Sequence, residues 1–169
     1  MWDCGGVNVL SLYISEGHNF VGRHGGSAAD FKILEKDSIE CVAGSGILGD
    51  RFFNYKPDFK GQITFFSQEI GIRLFKELNL PEMDLRLLRR NVITKGVDLN
   101  QWIGQEFDIQ GVRFQGVEEC KPCYWMDQTI GKGAEVFLKG QGGLRAKILT
   151  SGVLKRSSLV MDGAKEFSR

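Results

Sequence analysis

The spacing of apolar residues along the chain predicts more strands than helices. Residues 7–14 (VNVLSLYI) are apolar and β-branched, as in a buried strand, and residues 31–43 (FKILEKDSIECVA) carry apolar side chains at intervals near two. The pattern predicts further strands in four segments: GQITFFS (61–67), NVIT (91–94), QEFDIQGVRFQGVEE (105–119, a hairpin turning at Gln110 and Gly111) and GGLRAKILTSGVL (142–154, two strands turning at Ser151 and Gly152).

One helix is strongly indicated in QEIGIRLFKELNLP (68–81). Ile70, Leu74 and Leu78 fall on one helical face, Ser67 can cap the start, and Pro81 ends the run. A second, short helix is predicted around GAEVFLKG (133–140). Glycines and small polar residues predict loops in SEGHNFVGRHGGSAAD (15–30), which holds both histidines, and in GSGILGDRFFNYKPDFK (44–60).

Strands and helices do not alternate in βαβ order. The predicted fold is therefore α+β and β-rich, with a strongly bent mixed or antiparallel sheet, or a β-barrel, and a few helices. A chain of 169 residues with 42% hydrophobic content predicts a single domain over residues 1–169. Its core spans about 7–154, and the polar tail DGAKEFSR is expected to fray.

Charge and hydropathy exclude several classes of partner. The net charge is +1 and the basic residues are spread along the chain, which argues against a nucleic-acid partner. The N-terminal stretch lacks a basic region followed by an apolar run, and no segment approaches the ~18 apolar residues of a membrane span. We expect a soluble, cytoplasmic protein with no membrane partner.

Four cysteines, Cys4, Cys41, Cys120 and Cys123, are too few and too scattered for a disulfide framework. We interpret Cys4 and Cys41 as small buried hydrophobic residues. The motif EECKPCYWMD (118–127) is different, because Pro122 restricts Lys121 to an extended backbone and a nearby cation favours a thiolate at Cys123. Such a thiolate can act as a nucleophile or a metal ligand.

Two common uses of paired cysteines fit this motif poorly. A thioredoxin-like dithiol belongs at the start of a helix in an early βαβ unit, whereas this motif follows a hairpin late in the chain, with glycines soon after it. A closed zinc site needs a second ligand pair, which the sequence does not show. Four ligands would have to come from all four cysteines, or from Cys120, Cys123, His18 and His24.

Four segments together carry a family resemblance. They are GILGDR (46–51), RRNVITKGVDLN (89–100), FDIQGVRFQGVEECKPC (107–123) and GGLRAKIL (142–149), and in this order they resemble a MOSC domain, the module named for the C-terminal part of molybdenum cofactor sulfurases. The HNFVGRHGG segment (18–26) is similar to that of small standalone bacterial MOSC proteins. The resemblance runs from about Val7 to Leu154 and implies a β-barrel-like mixed fold.

The resemblance implies a molybdenum pterin cofactor (molybdopterin) and a central role for Cys123. In amidoxime-reducing relatives the matching cysteine binds molybdenum, and in sulfurase relatives it is expected to carry sulfur. A molybdenum-dependent oxidoreductase and a sulfur transferase both fit the motif. The candidate catalytic residues are Cys123, Cys120, His18 and His24, and the candidate anchors for the anionic cofactor are Asp50, Arg51, Arg89, Arg90, Asn91, Gly142, Gly143 and Arg145.

The sequence also departs from larger relatives. It has no segment like the aminotransferase half of a sulfurase, so sulfur would not come from pyridoxal phosphate chemistry in this chain and we expect a sulfur-donor partner. It also lacks the N-terminal β-domain and the electron-donor domain of amidoxime reductases, so reduction would need an electron-donor protein. Two alternatives stay open: a non-catalytic carrier of cofactor or persulfide, and a cofactor-free redox pair of Cys120 and Cys123.

Overall fold

The computed structural model describes residues 2–3, 6–19 and 29–158. Within these ranges the chain forms eleven strands, three α-helices and two short 3-10 helices. The strands are β1 (Trp2–Asp3), β2 (Asn8–Ile14), β3 (Leu34–Lys36), β4 (Ser38–Val42), β5 (Gly46–Ile47), β6 (Ile63–Ser67), β7 (Val92–Lys95), β8 (Glu106–Ile109), β9 (Val112–Glu119), β10 (Leu144–Ile148) and β11 (Gly152–Lys155). The α-helices are α1 (Gln68–Glu77), α2 (Tyr124–Thr129) and α3 (Ala134–Leu138), and the 3-10 helices are Leu85–Leu88 and Leu99–Trp102.

The strands form two sheets. Eight pair in the order β1-β8-β9-β10-β6-β7-β2-β3, and three pair in the order β11-β4-β5. The larger sheet is mixed, because β1 pairs with β8 and β6 with β7 in parallel while its other neighbours are antiparallel. In the described part of the chain β1 and β3 remain as open edges. The predicted β-rich α+β class is confirmed, as an open mixed sheet and not as a closed barrel.

The central strands bury both of their faces. Side chains of successive residues in a strand point to opposite sides of the sheet. Phe65 and Val92 therefore pack into one cluster, while their neighbours Phe66 and Ile93 pack into another. The first cluster contains residues of the small sheet, including Ile39, Cys41, Ile47 and Leu154. The second contains residues of the helices, including Leu74, Met126, Ala134 and Leu138.

The predicted elements are largely present. Helix α1 begins at the predicted cap, where Ser67 Oγ accepts a hydrogen bond from Ile70 N (3.4 Å), and Leu74 is buried on its inner face. The hairpin turns at Gln110 and Gly111, whose φ angles of +55° and +82° suit a tight two-residue turn. Burial raises the pKa of Cys41 to about 12, and its place in the core confirms it as a small hydrophobic residue.

Two local predictions differ from the structure. Strands β10 and β11 do not pair with each other, because β10 lies between β9 and β6 while β11 pairs with β4 in the small sheet, and Gly152 belongs to β11. A helix, α2, also begins directly after Cys123 and ends at Thr129, before the glycines that follow it. It forms because Met126 and Ile130 bury apolar surface in the second cluster.

Three sequence features lie outside the described residues: Cys4, His24 and the polar tail DGAKEFSR. Their expected burial, chemistry and fraying stay predictions. Within the described ranges, none of the helices combines the length and the apolar character that a bilayer crossing requires.

Candidate functional site

The two cysteines of the motif lie in a turn between β9 and α2, which we call the cysteine loop (residues 120–123). Cys120 is buried and its backbone N–H donates to Gly143 O (2.8 Å). Cys123 is exposed and stands at the N-cap position of α2, where its side chain makes no capping hydrogen bond. Of the three thiols that the structure describes, only that of Cys123 is open to solvent, and all three are free.

Arg90 holds the cysteine loop in place through its guanidinium group. Its buried guanidinium donates three hydrogen bonds to backbone carbonyls: Nη1 to Leu88 (2.6 Å), Nε to Gly142 (3.1 Å) and Nη2 to Cys120 (3.2 Å). Each of its three nitrogens thus donates one hydrogen bond to a backbone carbonyl, which fixes the orientation of the guanidinium. Arg90 connects the loop before β7, the loop before β10 and the cysteine loop.

The paired glycines allow these loops to touch. A Cβ atom on Gly142 would lie 2.4 Å from Cys120 O, and one on Gly143 would lie 2.3 Å from Phe65 O. Gly143 also has a φ of +106°, which glycine adopts without the strain other residues incur. Gly142 N donates to Glu119 Oε1 (3.1 Å). The glycines therefore pack the backbone behind Cys120.

Cys120 and Cys123 line one pocket of about 200 Å³, which we call the cysteine pocket. Its cationic lining comes from four separate segments: Arg51, Arg89 and Arg90, Lys121, and Arg145. His18, Phe52, Phe59 and Trp125 also line it. No carboxylate is found among the described residues of the lining, so the pocket has charges of one sign.

Asp50 and Arg51 form a buried ion pair at the pocket. Asp50 accepts hydrogen bonds from Ser15 N (3.0 Å) and Phe52 N (3.3 Å), and Arg51 Nη1 lies 3.6 Å from Asp50 Oδ1. Arg51 Nη2 also donates to the carbonyl of Arg89 (3.2 Å). Asp50 thereby positions Arg51 and does not line the pocket itself.

Asn91 plays a comparable supporting part between strands. Its Oδ1 accepts hydrogen bonds from Thr64 N and Thr64 Oγ1, both at 3.0 Å, and its Nδ2 donates to Tyr13 O (3.1 Å). These bonds tie β6 to the adjoining ends of β7 and β2. The side chain is buried and lies behind the pocket lining.

The cations raise the electrostatic potential of the pocket. Burial lowers the pKa of His18, the charges of Arg51 and Arg89 lower it further, and Asp50 opposes them. Burial, followed by the charge of Arg51, lowers the pKa of Arg89 to about 10. Arg145 is more exposed, and its Nη1 lies 3.4 Å from Glu118 Oε1. A bound anion would relieve the mutual repulsion of Arg51 and Arg89.

The structure thus brings seven of the predicted site residues to one pocket: His18, Arg51, Arg89, Arg90, Cys120, Cys123 and Arg145. Asp50, Asn91, Gly142 and Gly143 stand behind it as supports, and His24 lies outside the described residues. The place of Phe52 and Phe59 in the lining was not predicted. Its signal is the ring-rich sequence FFNYKPDF (52–59), which the loop assignment passed over.

A larger groove of about 520 Å³, the helix groove, lies beside α1. Its polar groups bond to one another. Glu69 accepts from Gly96 N (2.7 Å) and Ser67 Oγ (2.8 Å), and Arg73 Nη2 donates to Gln141 Oε1 (3.1 Å). No thiol is found in its described lining. Within the described ranges, no three His, Cys, Asp or Glu side chains group closely enough to hold a metal ion without other ligands.

Comparison with known proteins places this fold in a family. Residues 23–160 match the family model of the MOSC domain. The chain belongs to the MOSC domain family. None of the curated proteins matches this MOSC domain at a significant level.

Solved structures support the fold of this MOSC domain. The YUAD protein from Bacillus subtilis is similar with a TM-score of 0.68 and 18% identity over 89% of this chain and 91% of that one. YiiM from Geobacillus stearothermophilus has a TM-score of 0.62 and 11% identity over 88% and 71%. YiiM from Escherichia coli has a TM-score of 0.58 and 14% identity over 85% and 65%. At these identities the likeness concerns the fold alone.

Proposed function

We propose that this MOSC domain binds a molybdenum pterin cofactor in the cysteine pocket, with the Cys123 thiolate as a metal ligand. One observation carries the proposal: the exposed thiol of Cys123 shares a pocket with five cationic side chains and with no carboxylate of the described lining. That combination suits a ligand that is anionic and contains a thiophilic metal.

The individual residues fit such a cofactor. The cofactor carries a phosphate, and arginines are well suited to hold phosphate oxygens. Arg51 and Arg89 are the candidates for this contact, because both line the pocket, whereas bonds from each nitrogen of Arg90 to a backbone carbonyl fix that guanidinium in a supporting position. Cys123 supplies a soft sulfur ligand, whereas buried Cys120 supports the loop through its backbone.

The size of the pocket bears on how the cofactor is held. Its volume of about 200 Å³ is below the range of roughly 300–1,000 Å³ that is typical for ligand pockets. We therefore expect the domain to enclose the cofactor only in part. Partial enclosure suits hand-over of cofactor or persulfide to a partner, so the carrier function is a second candidate beside catalysis.

When bound, the cofactor would supply two-electron redox chemistry at the metal. For an N-hydroxylated substrate the balanced change is R–NH–OH + 2 e⁻ + 2 H⁺ → R–NH₂ + H₂O, with the electrons coming from an electron-transfer protein. The chain's own residues would hold the anion and orient the metal through Cys123. His18 lines the same pocket and can exchange a proton with water through its imidazole.

The molybdenum content after loading with the isolated cofactor tests the proposal. Wild-type protein should contain nearly one molybdenum per chain, Cys123→Ser should lose it, and Cys120→Ser should keep it. Equal loss in both variants, together with a reversible Cys120–Cys123 disulfide in mass spectrometry, would instead support the redox pair. Wild-type protein that takes up no molybdenum would refute the proposed function.

Turnover then separates the enzyme from the carrier. Loaded wild-type protein is given a chemical reductant and an N-hydroxylated amidine, and formation of the amidine is measured. Stoichiometric molybdenum without turnover would favour the carrier. The Cys123→Ser variant serves as the blank in both cases.

A further inference from the structure

We propose that the helix groove beside α1 binds a free basic α-amino acid, lysine or arginine. Among the residues that the structure describes, the groove and the cysteine pocket share no lining residue, so this second site goes beyond the proposed function and does not rest on it. The groove volume of about 520 Å³ lies inside the range of roughly 300–1,000 Å³ that is typical of small-molecule sites. Its frame, its charges and its apolar surface are each complementary to such a ligand.

Three segments of the chain frame the groove, and a hydrogen bond joins each pair of them. Glu69 in the first turn of α1 accepts from Gly96 N in the segment between β7 and β8 (2.7 Å). Asn100 Nδ2, in the same segment, donates to Gly140 O in the loop before β10 (2.8 Å). Arg73 of α1 completes the frame, because its Nη2 donates to a side-chain oxygen of that loop (3.1 Å). The frame is therefore built before a ligand arrives, which lowers the entropy cost of binding.

Two carboxylates give the groove its negative charge. Burial acts to raise the pKa of Glu69, but hydrogen bonds from Gly96 N and Ser67 Oγ (2.8 Å) outweigh burial, and the pKa of Glu69 is lowered. Asp98 Oδ1 accepts from Asn100 N (3.0 Å), whereas no donor of the described residues reaches Asp98 Oδ2. Glu69 therefore stays ionised at neutral pH, and Asp98 has an oxygen available for a ligand ammonium group.

Arg73 supplies the positive charge of the described lining. Its Nη2 is bonded to Gln141, and within the described ranges no other acceptor of the protein meets this guanidinium. Its remaining N–H groups can therefore donate to a ligand carboxylate. Two carboxylates and one guanidinium give the described lining a charge of −1. Lysine and arginine have the complementary set, which is one carboxylate and two cationic groups.

Apolar side chains complete the lining of the groove. Ile70 packs against the second core cluster, whereas Leu99 belongs to the first and Val97 packs against it. Gly96 and Gly140 contribute only backbone, which leaves the space between the segments open. The methylene stem of lysine or arginine suits this surface, because such stems pack on apolar groups while their charged ends stay in polar surroundings.

The charges of the groove argue against simpler ligands. An acidic amino acid would bring two further carboxylates to a lining that already contains Glu69 and Asp98. A diamine has no group for Arg73, and an apolar compound would remove all three charges from water without giving them partners. A ligand with both signs and an excess of positive charge therefore fits best.

Isothermal titration calorimetry of the full chain with four compounds tests the site. Free lysine should bind with a Kd below about 1 mM, and glutamate should not bind. Cadaverine has the two ammonium groups of lysine without the carboxylate, so it should bind about tenfold more weakly. Nα-acetyl-lysine, which resembles a lysine at the end of a peptide, should also bind about tenfold more weakly. Equal affinity for Nα-acetyl-lysine and lysine would assign the groove to a peptide end and overturn the inference.

Variants assign the charges of the ligand to side chains of the groove. Arg73→Gln should reduce the affinity for lysine to that for cadaverine, whereas Lys76→Gln, an exposed position of α1 outside the lining, should preserve the preference. Asp98→Asn keeps an oxygen for the cap at Asn100 and should weaken lysine and cadaverine alike, severalfold. Glu77→Gln removes the same charge from an exposed position outside the lining and should change neither affinity.

The outcome is independent of the proposed function. Circular dichroism verifies that each variant is folded, and molybdenum uptake is measured on the same preparations. Failure of folded wild-type protein to bind lysine, equal affinities for lysine and cadaverine, or equal losses in Asp98→Asn and Glu77→Gln would refute the amino-acid site alone. Lysine binding by a protein that takes up no molybdenum would refute the cofactor proposal alone.

Discussion

The cysteine pocket and the helix groove differ in a way that their volumes do not show. The groove is more than twice as large, at about 520 Å³ against about 200 Å³. Its carboxylates and its arginine are bonded to neighbouring polar groups. The lining of the pocket contains five cationic side chains, no carboxylate among its described residues, and an exposed thiol. A lining that carries cations and a reactive thiol but no carboxylate therefore marks the better functional candidate.

The largest expected effect comes from replacing Arg90 of the cysteine pocket. Arg90→Met removes three hydrogen bonds and leaves the carbonyls of Leu88, Gly142 and Cys120 without a partner. At about 1–3 kcal/mol for each unsatisfied buried group, we expect the free energy of unfolding to fall by about 4 kcal/mol. Urea denaturation measures this loss.

Arg73→Met in the helix groove is the matched control. Arg73 is exposed and donates a hydrogen bond to Gln141 at the surface, so the change should stay within about 0.5 kcal/mol. Equal losses in the two variants would contradict the structural role given to Arg90.

Two glycines of the loop before β10 give a smaller effect. Gly140 and Gly143 both have positive φ angles, +79° and +106°, but only at Gly143 would an added Cβ meet another atom within 4 Å. Gly140→Ala should cost about 1–2 kcal/mol from backbone strain, and Gly143→Ala a further ~1–3 kcal/mol from overpacking against Phe65 O. Thermal unfolding compares the pair, and equal costs would argue against the close approach of Gly143 to Phe65 O.

The smallest expected effect is on the pH dependence of stability through His18. The pKa of His18 lies below its usual 6.5, so the unfolded chain binds a proton at higher pH than the folded one. The stability that depends on neutral His18 is present above pH 6.5 and declines as pH falls from there toward the folded pKa. His18→Gln should reduce this decline by less than about 1 kcal/mol, because the group is only partly buried.

NMR titration of His18 compares the influence of a pocket cation, Arg89, with that of a helix-groove cation, Arg73. Arg89→Asn removes a nearby cation and should raise the pKa of His18, and Asn tolerates the left-handed backbone of this position. Arg73→Met in the helix groove should leave the His18 titration where it is. An unchanged pKa in Arg89→Asn would show that the cations do not act together on the pocket.

Local sequence signals predicted most of the elements. The cap at Ser67, the apolar face of α1 and the turn at Gln110 and Gly111 each depend on residues close together in the chain. The order of strands was beyond such signals, because the pairing of β11 with β4 joins residues more than one hundred positions apart. The choice between an open sheet and a closed barrel also depends on pairing between distant strands, so the sequence left both possibilities open.

The sequence predicted which residues lie at the candidate site better than it predicted what each of them does there. The basic residues are dispersed in sequence, yet folding brings Arg51, Arg89 and Arg145 to one pocket. Family motifs marked Arg90 and the glycine pair as cofactor anchors, which stays a prediction, and their contacts add a role in supporting the cysteine loop that the motifs did not indicate. Which atoms a side chain bonds depends on distant backbone, and the sequence alone does not reveal it.

Because Arg90 holds the cysteine loop through a single main-chain oxygen, that of Cys120, the attachment does not depend on which side chains the loop carries. Every residue has a carbonyl, so Lys121 or Cys120 can be exchanged while the anchorage persists. The position of the Cys123 sulfur therefore does not depend on the chemical character of the neighbouring side chains. Single substitutions in the loop can change the reactivity of the site without moving this atom.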